Sequence, residues 1–375
     1  RAWRPGPEDY APAATDATGV LRRLLGSPSI ASKRWVYNQY DTTVRTNTVL
    51  GPGGDAGVLR IRKTRKGLAA TVDCNGRYVY LNPRRGAMIA VAEAARNIAC
   101  VGARARAVTD NLNFGNPLKP ESYYQLREAV AGIAEACRAL DTPVVSGNVS
   151  LYNESPTGAI YPTPVIGMVG VLEDVERHVA SAFRAPGDVI VLLGENADEL
   201  GGSEYLKVVR GLVAGDAPAV NLAAERALIE AVIELAARGY IRSAHDCAEG
   251  GLAVCLAECA IGEAERPLGV DVRLEDDLPP AALLFGETQG RIVVSCSEDR
   301  LDGVLAVAKE QGVPVRAIGR VGEPGGPFRV RTGNGAAIDI GVEELAREYY
   351  EAIPRVMDRS AGAAAVDLEH PAAPQ

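Results

Sequence analysis

Histidine is scarce in this sequence: only three occur among 375 residues, and they lie far apart at positions 178, 245 and 370. A zinc site or a Ser-His-Asp triad therefore has few residues to draw on. The seven cysteines include no Cys-x-x-Cys pair, and most of them sit among apolar residues, as small buried thiols do. We therefore expect a cytoplasmic protein.

Long apolar runs and an excess of positive charge are also missing. No apolar run reaches the length of a membrane span, and no apolar segment follows Arg1–Pro5, so we expect no signal peptide and no membrane partner. The formal net charge of -8 argues against a nucleic-acid partner. With 47% hydrophobic and 23% charged residues, the composition is typical of a soluble globular enzyme.

The length and the order of predicted elements indicate an α/β (α+β) protein with two domains. We expect an N-terminal domain over residues 18–175 and a C-terminal α/β domain over residues 185–350, because the pattern restarts at Pro186-Gly187-Asp188. Both ends of the chain are rich in Pro and Ala, which predicts a linker or frayed end over residues 1–17 and a disordered tail over residues 360–375.

Polar residues follow a short apolar run near the middle of the sequence. The run Pro143–Val145 predicts a buried strand, and Gly147 interrupts it and allows the backbone to approach a ligand closely. The polar residues that follow are Asn148, Ser150, Asn153 and Glu154. Their hard oxygen atoms suit Mg²⁺ or its bridged phosphates. The alternatives are a loop capped by its own side chains and a glycosylation motif, which matters only in a secreted chain.

A second polar stretch, Asp110–Pro117, contains three Asn residues and one Asp, more than a single turn needs. It follows a predicted strand, and a predicted helix over about residues 120–140 leads from it to the strand at Val144. In such a strand-helix-strand unit the strands run parallel, and their carboxyl ends lie on the same edge of the sheet. We therefore expect both polar stretches to meet one ligand.

Three further motifs are weaker signals. The glycine-rich loop Gly51–Asp55 invites a phosphate site, but it lacks the Lys-Ser/Thr of a P-loop and the dinucleotide-binding spacing. Asp73–Tyr78 is a polar cluster at another strand end, where turn capping is at least as common as ligand contact. His245 beside Asp246 is a candidate acid-base pair, although such a histidine more often caps a helix or pairs locally.

Taken together, the motifs resemble those of one family, the large subunit of phosphoribosylformylglycinamidine synthase (PurL), from about residue 18 to residue 350. The segments that carry the resemblance are Gly51-Pro-Gly-Gly-Asp55, Asp73-Cys-Asn75, Val108-Thr-Asp-Asn-Leu-Asn-Phe-Gly-Asn-Pro117, Ser146-Gly-Asn-Val-Ser-Leu-Tyr-Asn-Glu154, Pro162-Thr-Pro-Val-Ile-Gly-Met-Val-Gly170, Leu200-Gly-Gly-Ser-Glu204, Ser243-Ala-His-Asp246, Glu249-Gly-Gly-Leu-Ala253 and Leu284-Phe-Gly-Glu-Thr-Gln-Gly290. The chain resembles only the second half of the family.

The resemblance implies a fold and a reaction. It implies a PurM-like N-terminal domain that binds ATP, whose mixed sheet pairs with a like domain into a barrel, followed by a PurM-like C-terminal α/β domain. The family is an ATP-dependent C–N ligase: ATP activates the amide oxygen of formylglycinamide ribonucleotide as an iminophosphate, and ammonia from glutamine displaces phosphate to give the amidine. The implied cofactors are ATP and Mg²⁺.

The resemblance also implies site residues and partners. It assigns Asp110 and Gly147 to ATP, Asn148 to Mg²⁺ and Ser150 to the ribonucleotide substrate. The first half of the family carries a Ser-His-Asn-His-Pro segment, whereas Asp73–Arg77 here contains no histidine, so we predict no catalytic residue in this chain. The implied partners are the N-terminal half of the synthase, a glutaminase subunit and a small PurS-type subunit, with homodimerisation through the N-terminal sheet as a possibility for a half without its mate.

Two alternatives remain open from the sequence. One is a self-sufficient relative, such as an aminoimidazole-ribonucleotide, selenophosphate or thiamine-phosphate enzyme, although the Asn-Phe-Gly-Asn-Pro and Gly-Asn-Val-Ser-Leu-Tyr-Asn segments favour PurL. A selenophosphate enzyme would also need a reactive residue near its N-terminus, and residues 1–20 contain no Cys. The other is a structural half whose nucleotide site only stabilises the fold.

Overall fold

The computed structural model describes residues 3–156, 158–333, 335 and 337–368. Its first half contains eight strands among these residues. They are β1 (Thr48–Leu50), β2 (Gly57–Arg60), β3 (Gly67–Asp73), β4 (Arg104–Asn113), β5 (Val144–Ser150), β6 (Glu154–Ser155), β7 (Gly158–Ala159) and β8 (Thr163–Leu172). The helices up to this point are α1 (Pro7–Thr15), α2 (Ala17–Leu25), α3 (Arg34–Tyr37), α4 (Gly76–Leu81), α5 (Pro83–Cys100) and α6 (Pro120–Leu140).

The first sheet has six strands in the order β1-β2-β3-β8-β4-β5. Side chains alternate between its two faces, as the pleat requires. One face carries buried residues such as Ala69, Ile166 and Met168 and packs against α5. The other face leaves apolar side chains of β3 and β8 exposed, among them Leu68, Val72 and Val169. We call this second side the open face.

The predicted strand-helix-strand unit is present. β4 and β5 pair in parallel, and α6 lies between them in sequence. The register places Asp110 opposite Gly147, Asn111 opposite Asn148, and Asn113 opposite Ser150. All the other pairings in this sheet are antiparallel, so it is the mixed sheet expected from the resemblance.

One expectation about this unit is wrong. The strand at Val144 is not buried, because β5 lies at the edge of the sheet. Val144 is 44% exposed and Val145 is 69% exposed. Gly147 does not end the strand either, since β5 continues to Ser150. β-branched residues signalled a strand, but they could not show whether that strand lies at the centre or at the edge of its sheet.

The second half forms a separate sheet of seven strands. These strands are β9 (Val189–Leu193), β10 (Ser243–Asp246), β11 (Leu268–Leu274), β12 (Ile292–Cys296), β13 (Val315–Pro324), β14 (Pro327–Thr332) and β15 (Ala337–Gly341), in the spatial order β10-β12-β9-β13-β11-β14-β15. The helices are α7 (Leu222–Arg238), α8 (Gly251–Ile261), α9 (Pro280–Phe285), α10 (Leu301–Glu310) and α11 (Val342–Leu368), with a π-helical turn at Leu206–Arg210.

β9 separates two hydrophobic cores. All five of its residues are buried. Val189, Val191 and Leu193 belong to a core that also contains residues of α5 and α7, whereas Ile190 and Leu192 belong to a core built on α8 and α9. The first core therefore includes residues of both sheets and their helices, and the two domains share apolar packing.

The N-terminal segment differs from its prediction. Residues 7–15 form α1 rather than a linker. Tyr205 Oη donates to the Asp9 carbonyl at 2.7 Å and Arg210 Nε to Asp9 Oδ1 at 3.0 Å. Leu21 and Leu24 of α2 are buried in the core of the second domain rather than the first. Pro and Ala suggested a frayed end, but contacts distant in sequence hold this segment.

The C-terminal boundary also differs. α11 runs to Leu368, beyond the expected domain end at residue 350 and into the segment predicted as a disordered tail. Residues 369–375 of that predicted tail lie outside the described residues.

Candidate functional site

A cavity of about 810 Å³ lies where the two domains meet. The first domain contributes the glycine-rich loop Gly51–Ala56 and Asn97 of α5. The second contributes His245 and Asp246 of β10 and Glu249, which precedes α8. We call this space the interdomain cavity. It brings together two motifs that were weak signals when taken singly, the glycine-rich loop and the His245-Asp246 pair.

Buried acidic side chains cluster next to Asn97, which lines the interdomain cavity. Burial and the nearby Glu249 and Asp246 carboxylates raise the pKa of Asp73 well above its usual value. Burial and the Asp73 and Glu249 carboxylates do the same to the pKa of Glu93. Asn97 Nδ2 donates to Asp73 Oδ2 at 3.2 Å, which places an amide beside these acids. Because like charges raise one another's pKa, the cluster would be stabilised by a cation.

His245 links the glycine-rich loop to the second domain. Its Nδ1 lies 3.0 Å from both carboxylate oxygens of Asp55, and its Nε2 lies 3.1 Å from Glu258 Oε2. Burial opposes its charge, but the Asp55 carboxylate and the bond to Glu258 raise the pKa of His245 well above its usual value. The histidine therefore pairs with Asp55 rather than with its neighbour Asp246, and it holds the loop in place.

The oxygen donors of the interdomain cavity suit a magnesium ion that takes its remaining ligands from phosphate. Within the described part of the chain, no three His, Cys, Asp or Glu side chains are arranged to hold a metal ion by themselves. Mg²⁺ is usually bound by one or two carboxylates together with waters and substrate phosphates rather than by an all-protein cage. The Asp246 carboxylate and the Asn97 amide, which both line the cavity, fit that mode of binding.

The four residues assigned by the resemblance lie elsewhere. None of them lines the interdomain cavity. Asp110 and Gly147 are paired neighbours on β4 and β5, and a Cβ at position 147 would lie 1.9 Å from Asp110 Oδ1, so the close approach requires glycine. Asn148 and Ser150 lie on the opposite side of the sheet, on the open face, because successive residues alternate. Within this chain, the four residues are divided between the two faces of the sheet.

The open face carries a polar row at the end of β4 and β5. Asn111 and Asn113 pair with Asn148 and Ser150 across the two strands. Asn113 Nδ2 donates to Asn111 Oδ1 at 3.2 Å and to the Thr163 carbonyl at 3.1 Å. This arrangement presents amide and hydroxyl groups beside the exposed apolar residues of the same face.

Other residues of the two polar stretches have structural roles. Asn153 Nδ2 donates to the carbonyl oxygens of Phe114 and Ser150 at 3.2 and 2.9 Å, which joins the loops that follow β4 and β5. Glu154 accepts hydrogen bonds from the Asn116 backbone N–H and from Lys119. The expected density of polar groups is thus partly explained by loop packing.

Three polar residues of α5 were missed by sequence reasoning: Glu93, Arg96 and Asn97. The available signal was the presence of charged and amide side chains in a helix made mostly of Ala and other small residues. Charged residues are almost never fully buried unless they are paired, and Arg96 is 0% exposed.

Glu287 is a buried carboxyl group at the junction of the domains. It accepts hydrogen bonds from the backbone N–H of Gly250 at 2.7 Å and of Glu204 at 2.8 Å, and from the Tyr78 hydroxyl of α4. Burial and the nearby Glu249 carboxylate nevertheless raise the pKa of Glu287 to about 7. The group joins α4 to the start of α8, which lies next to the interdomain cavity.

Comparisons with known proteins identify the family to which the chain belongs. Residues 53–172 match the family model for the N-terminal domain of AIR synthase related protein, and residues 185–330 match the model for its C-terminal domain. The chain belongs to the AIR synthase related family. This agrees with the two sheets and with the PurM-like fold implied by the resemblance.

Within this family the chain is similar to PurL proteins. It is 52% identical over 355 residues to phosphoribosylformylglycinamidine synthase subunit PurL of Moorella thermoacetica, which covers 95% of this chain and 47% of that relative. The PurL of Symbiobacterium thermophilum is 47% identical over 392 residues, covering 94% and 49%. The chain therefore spans about half the length of these relatives.

Solved structures show the same fold. Thermotoga maritima PurL complexed with FGAR has a TM-score of 0.72 at 23% identity, covering 87% of this chain and 52% of that one. The same protein complexed with ATP has a TM-score of 0.66, with coverage of 92% and 53%. Among the described residues, no helix is both long and apolar enough to cross a membrane.

Glu287→Gln should change the pH dependence of stability. The native pKa of about 7 exceeds the ordinary value of 4.5, so between these pH values the native state binds the extra proton and stability falls as pH rises. The difference corresponds to about 3 kcal/mol. In Glu287→Gln, the decline in unfolding free energy from pH 4 to pH 8 should shrink by that amount, as measured by urea unfolding.

The matched control for this experiment is Glu121→Gln, at an exposed position in the first turn of α6. That variant should keep the wild-type pH profile. Equal slopes for the wild type and Glu287→Gln would contradict the raised pKa.

Proposed function

We propose that the chain is the C-terminal half of a phosphoribosylformylglycinamidine synthase large subunit. The observation that carries the proposal is sequence identity to PurL relatives of 52% and 46%. The matched region covers nearly all of this chain but less than half of each relative. The reaction is the ATP-dependent conversion of formylglycinamide ribonucleotide to its amidine through an iminophosphate. Glutamine supplies ammonia through a separate glutaminase subunit, assisted by a PurS-type subunit, in the cytoplasm.

The open face is the surface that meets the other half. Val72 is 72% exposed, Leu59 45% and Val169 39%, and these residues lie on adjacent strands of one sheet. An apolar patch beside a polar row is typical of a protein-protein interface. The N-terminal half of the synthase covers this face in the complete enzyme, and a second copy of this chain covers it when that half is missing.

The polar row on the open face belongs to the synthase site. The Asn148 amide oxygen would hold Mg²⁺, which would neutralise charge on the ATP phosphates when bound. The Ser150 hydroxyl orients the ribonucleotide, while Asp110 and Gly147 shape the neighbouring ATP position at the edge of the sheet. Because no histidine of this chain lies on β4 or β5, the acid-base groups come from the other half.

The interdomain cavity is a second Mg-nucleotide site. It combines the glycine-rich loop Gly51–Ala56, whose backbone can approach phosphates, with the Asp246 carboxylate and the Asn97 amide. Asp246 and the Asn97 amide, which both line the cavity, would hold the ion together with waters and phosphate oxygens. This site stabilises the association of the two domains. The alternative in which a nucleotide site only stabilises the fold is therefore part of the same proposal.

Val72→Asp should prevent self-association of the isolated chain. A carboxylate at a position that is 72% exposed in one copy would be buried unpaired in the dimer, at a cost of several kcal/mol. Sedimentation velocity should show a dimer for the wild type and a monomer for the variant. Leu118→Asp, which changes a residue 81% exposed on a loop, should remain dimeric, and a monomeric wild type would refute this role of the open face.

Asn148→Ala and Ser150→Ala should impair the complete two-half enzyme without unfolding it. Each removes a transition-state contact, so kcat should fall by about 100-fold or more. The Asn148 variant should raise the Mg²⁺ requirement, and the Ser150 variant should raise the KM for the ribonucleotide. Ser146→Ala, on the same strand and exposed, is the control. Synthase activity of this 375-residue chain alone with ammonia would overturn the half-site assignment.

Asn97→Ala should weaken Mg-ATP binding by the isolated chain. The amide is one of the few neutral donors beside the acids, and loss of one hydrogen-bonding group costs about 1 kcal/mol or more, close to tenfold in Kd. Isothermal titration calorimetry checks this. Asn148→Ala, the same substitution on the open face, should leave binding to the interdomain cavity unchanged. If it were Asn148→Ala that abolished binding, the nucleotide would belong to the other site.

A further inference from the structure

Arg96 is the most enclosed cation of the domain interface. It projects from α5 of the first domain and is 0% exposed. Its guanidinium donates two hydrogen bonds to Asp246 of the second domain, from Nε to Oδ1 at 2.6 Å and from Nη2 to Oδ2 at 3.3 Å. The remaining donors reach Glu225 Oε1 at 2.8 Å through Nη1 and Gln289 Oε1 at 2.9 Å through Nη2.

Asp246 is in turn connected to the glycine-rich loop. Its backbone N–H donates to Asp55 Oδ1 at 2.9 Å, and the same carboxylate pairs with His245. The chain of contacts from Arg96 to Asp246 to Asp55 crosses between the domains twice. A shift of Arg96 would therefore move both a wall residue of the interdomain cavity and the loop that faces it.

Arg96 itself does not line the interdomain cavity. It contacts Glu93 one turn earlier on α5, with Nη2 3.8 Å from Oε2, and Asn97 follows it directly. The guanidinium therefore lies on the side of these acids that faces away from the interdomain cavity, and it holds their carboxylates in position. Partners in this position orient metal ligands, and changing them typically costs about 10- to 100-fold in metal affinity.

We propose that Arg96 is a positioning residue for the interdomain cavity: it holds Asp246, and through Asp246 the loop Gly51–Ala56, in the geometry that accepts a Mg-nucleotide. This inference rests on the proposed function of the cavity and adds a residue to it. The planar fork of arginine is required, because two bonds to one carboxylate and one bond each to Glu225 and Gln289 cannot be made by a lysine.

The test compares two buried arginines. Arg291 is also 0% exposed, but its guanidinium donates to the carbonyl oxygens of Thr288 and Gly286 and to Asn196 Oδ1. Arg96→Lys and Arg291→Lys each remove a buried fork. For both variants, binding of a fluorescent ATP analogue is titrated with Mg²⁺, and urea unfolding is measured in parallel so that binding is compared only for folded protein.

The Mg²⁺ concentration for half-maximal binding should rise about 10- to 100-fold in Arg96→Lys and by less than about threefold in Arg291→Lys. An equal shift in the two variants, or none in Arg96→Lys, would overturn the positioning role. If the wild type shows no Mg-dependent binding, the proposed function of the cavity fails instead.

A second variant covers the case in which Arg96→Lys does not fold. Gln289→Leu removes the uncharged partner of Arg96 and does not alter the wall of the interdomain cavity. One lost hydrogen bond predicts a smaller rise in the Mg²⁺ requirement, roughly 3- to 10-fold. A wild-type Mg²⁺ titration in folded Gln289→Leu would count against the proposal.

Discussion

Burial of charge at the domain interface is the constraint on which the rest of this structure depends. Arg96 is enclosed among Asp246, Glu225 and Glu93, and removing one member of such a group leaves an uncompensated charge in a medium of low polarity. The two domains must therefore keep one relative position to satisfy these partners. The shared apolar core that includes β9 and α5 fixes that position. The relative position of the domains in turn determines the shape of the interdomain cavity.

The two candidate sites lie on different parts of the first domain, although Val72 of the open face also lines the interdomain cavity. α5 covers the packed face of the first sheet, and its polar residues point to the second domain. The open face carries Asn148 and Ser150 away from that interface. The cavity is formed by the two domains of this chain, whereas the polar row is the site that we propose is completed by another protein surface. The residues assigned to a single ligand by resemblance do not meet within the chain, because successive residues of β4 and β5 alternate between the two faces of the sheet.

The sequence predicted elements better than it predicted their surroundings. The parallel unit β4-α6-β5 was predicted because its strands are joined by a helix with clear apolar spacing. The burial of β5 was predicted wrongly, since a β-branched run does not distinguish the edge of a sheet from its centre. The interdomain cavity could not be predicted, because Asp55, Asn97 and Asp246 are distant in sequence and only tertiary packing brings them together. For the same reason α1 and α2 could not be assigned to the second domain.

The placement of α1 and α2 has a consequence for how the chain can be divided. The second domain is discontinuous: its core takes residues from the first two helices and then from β9 onward, with the whole first sheet inserted between them. Cutting the chain between the sheets would leave the C-terminal piece with an uncovered apolar surface where Leu21 and Leu24 belong. During synthesis these helices emerge well before the strands that shelter them, so the second domain can complete its core only after the first has been made.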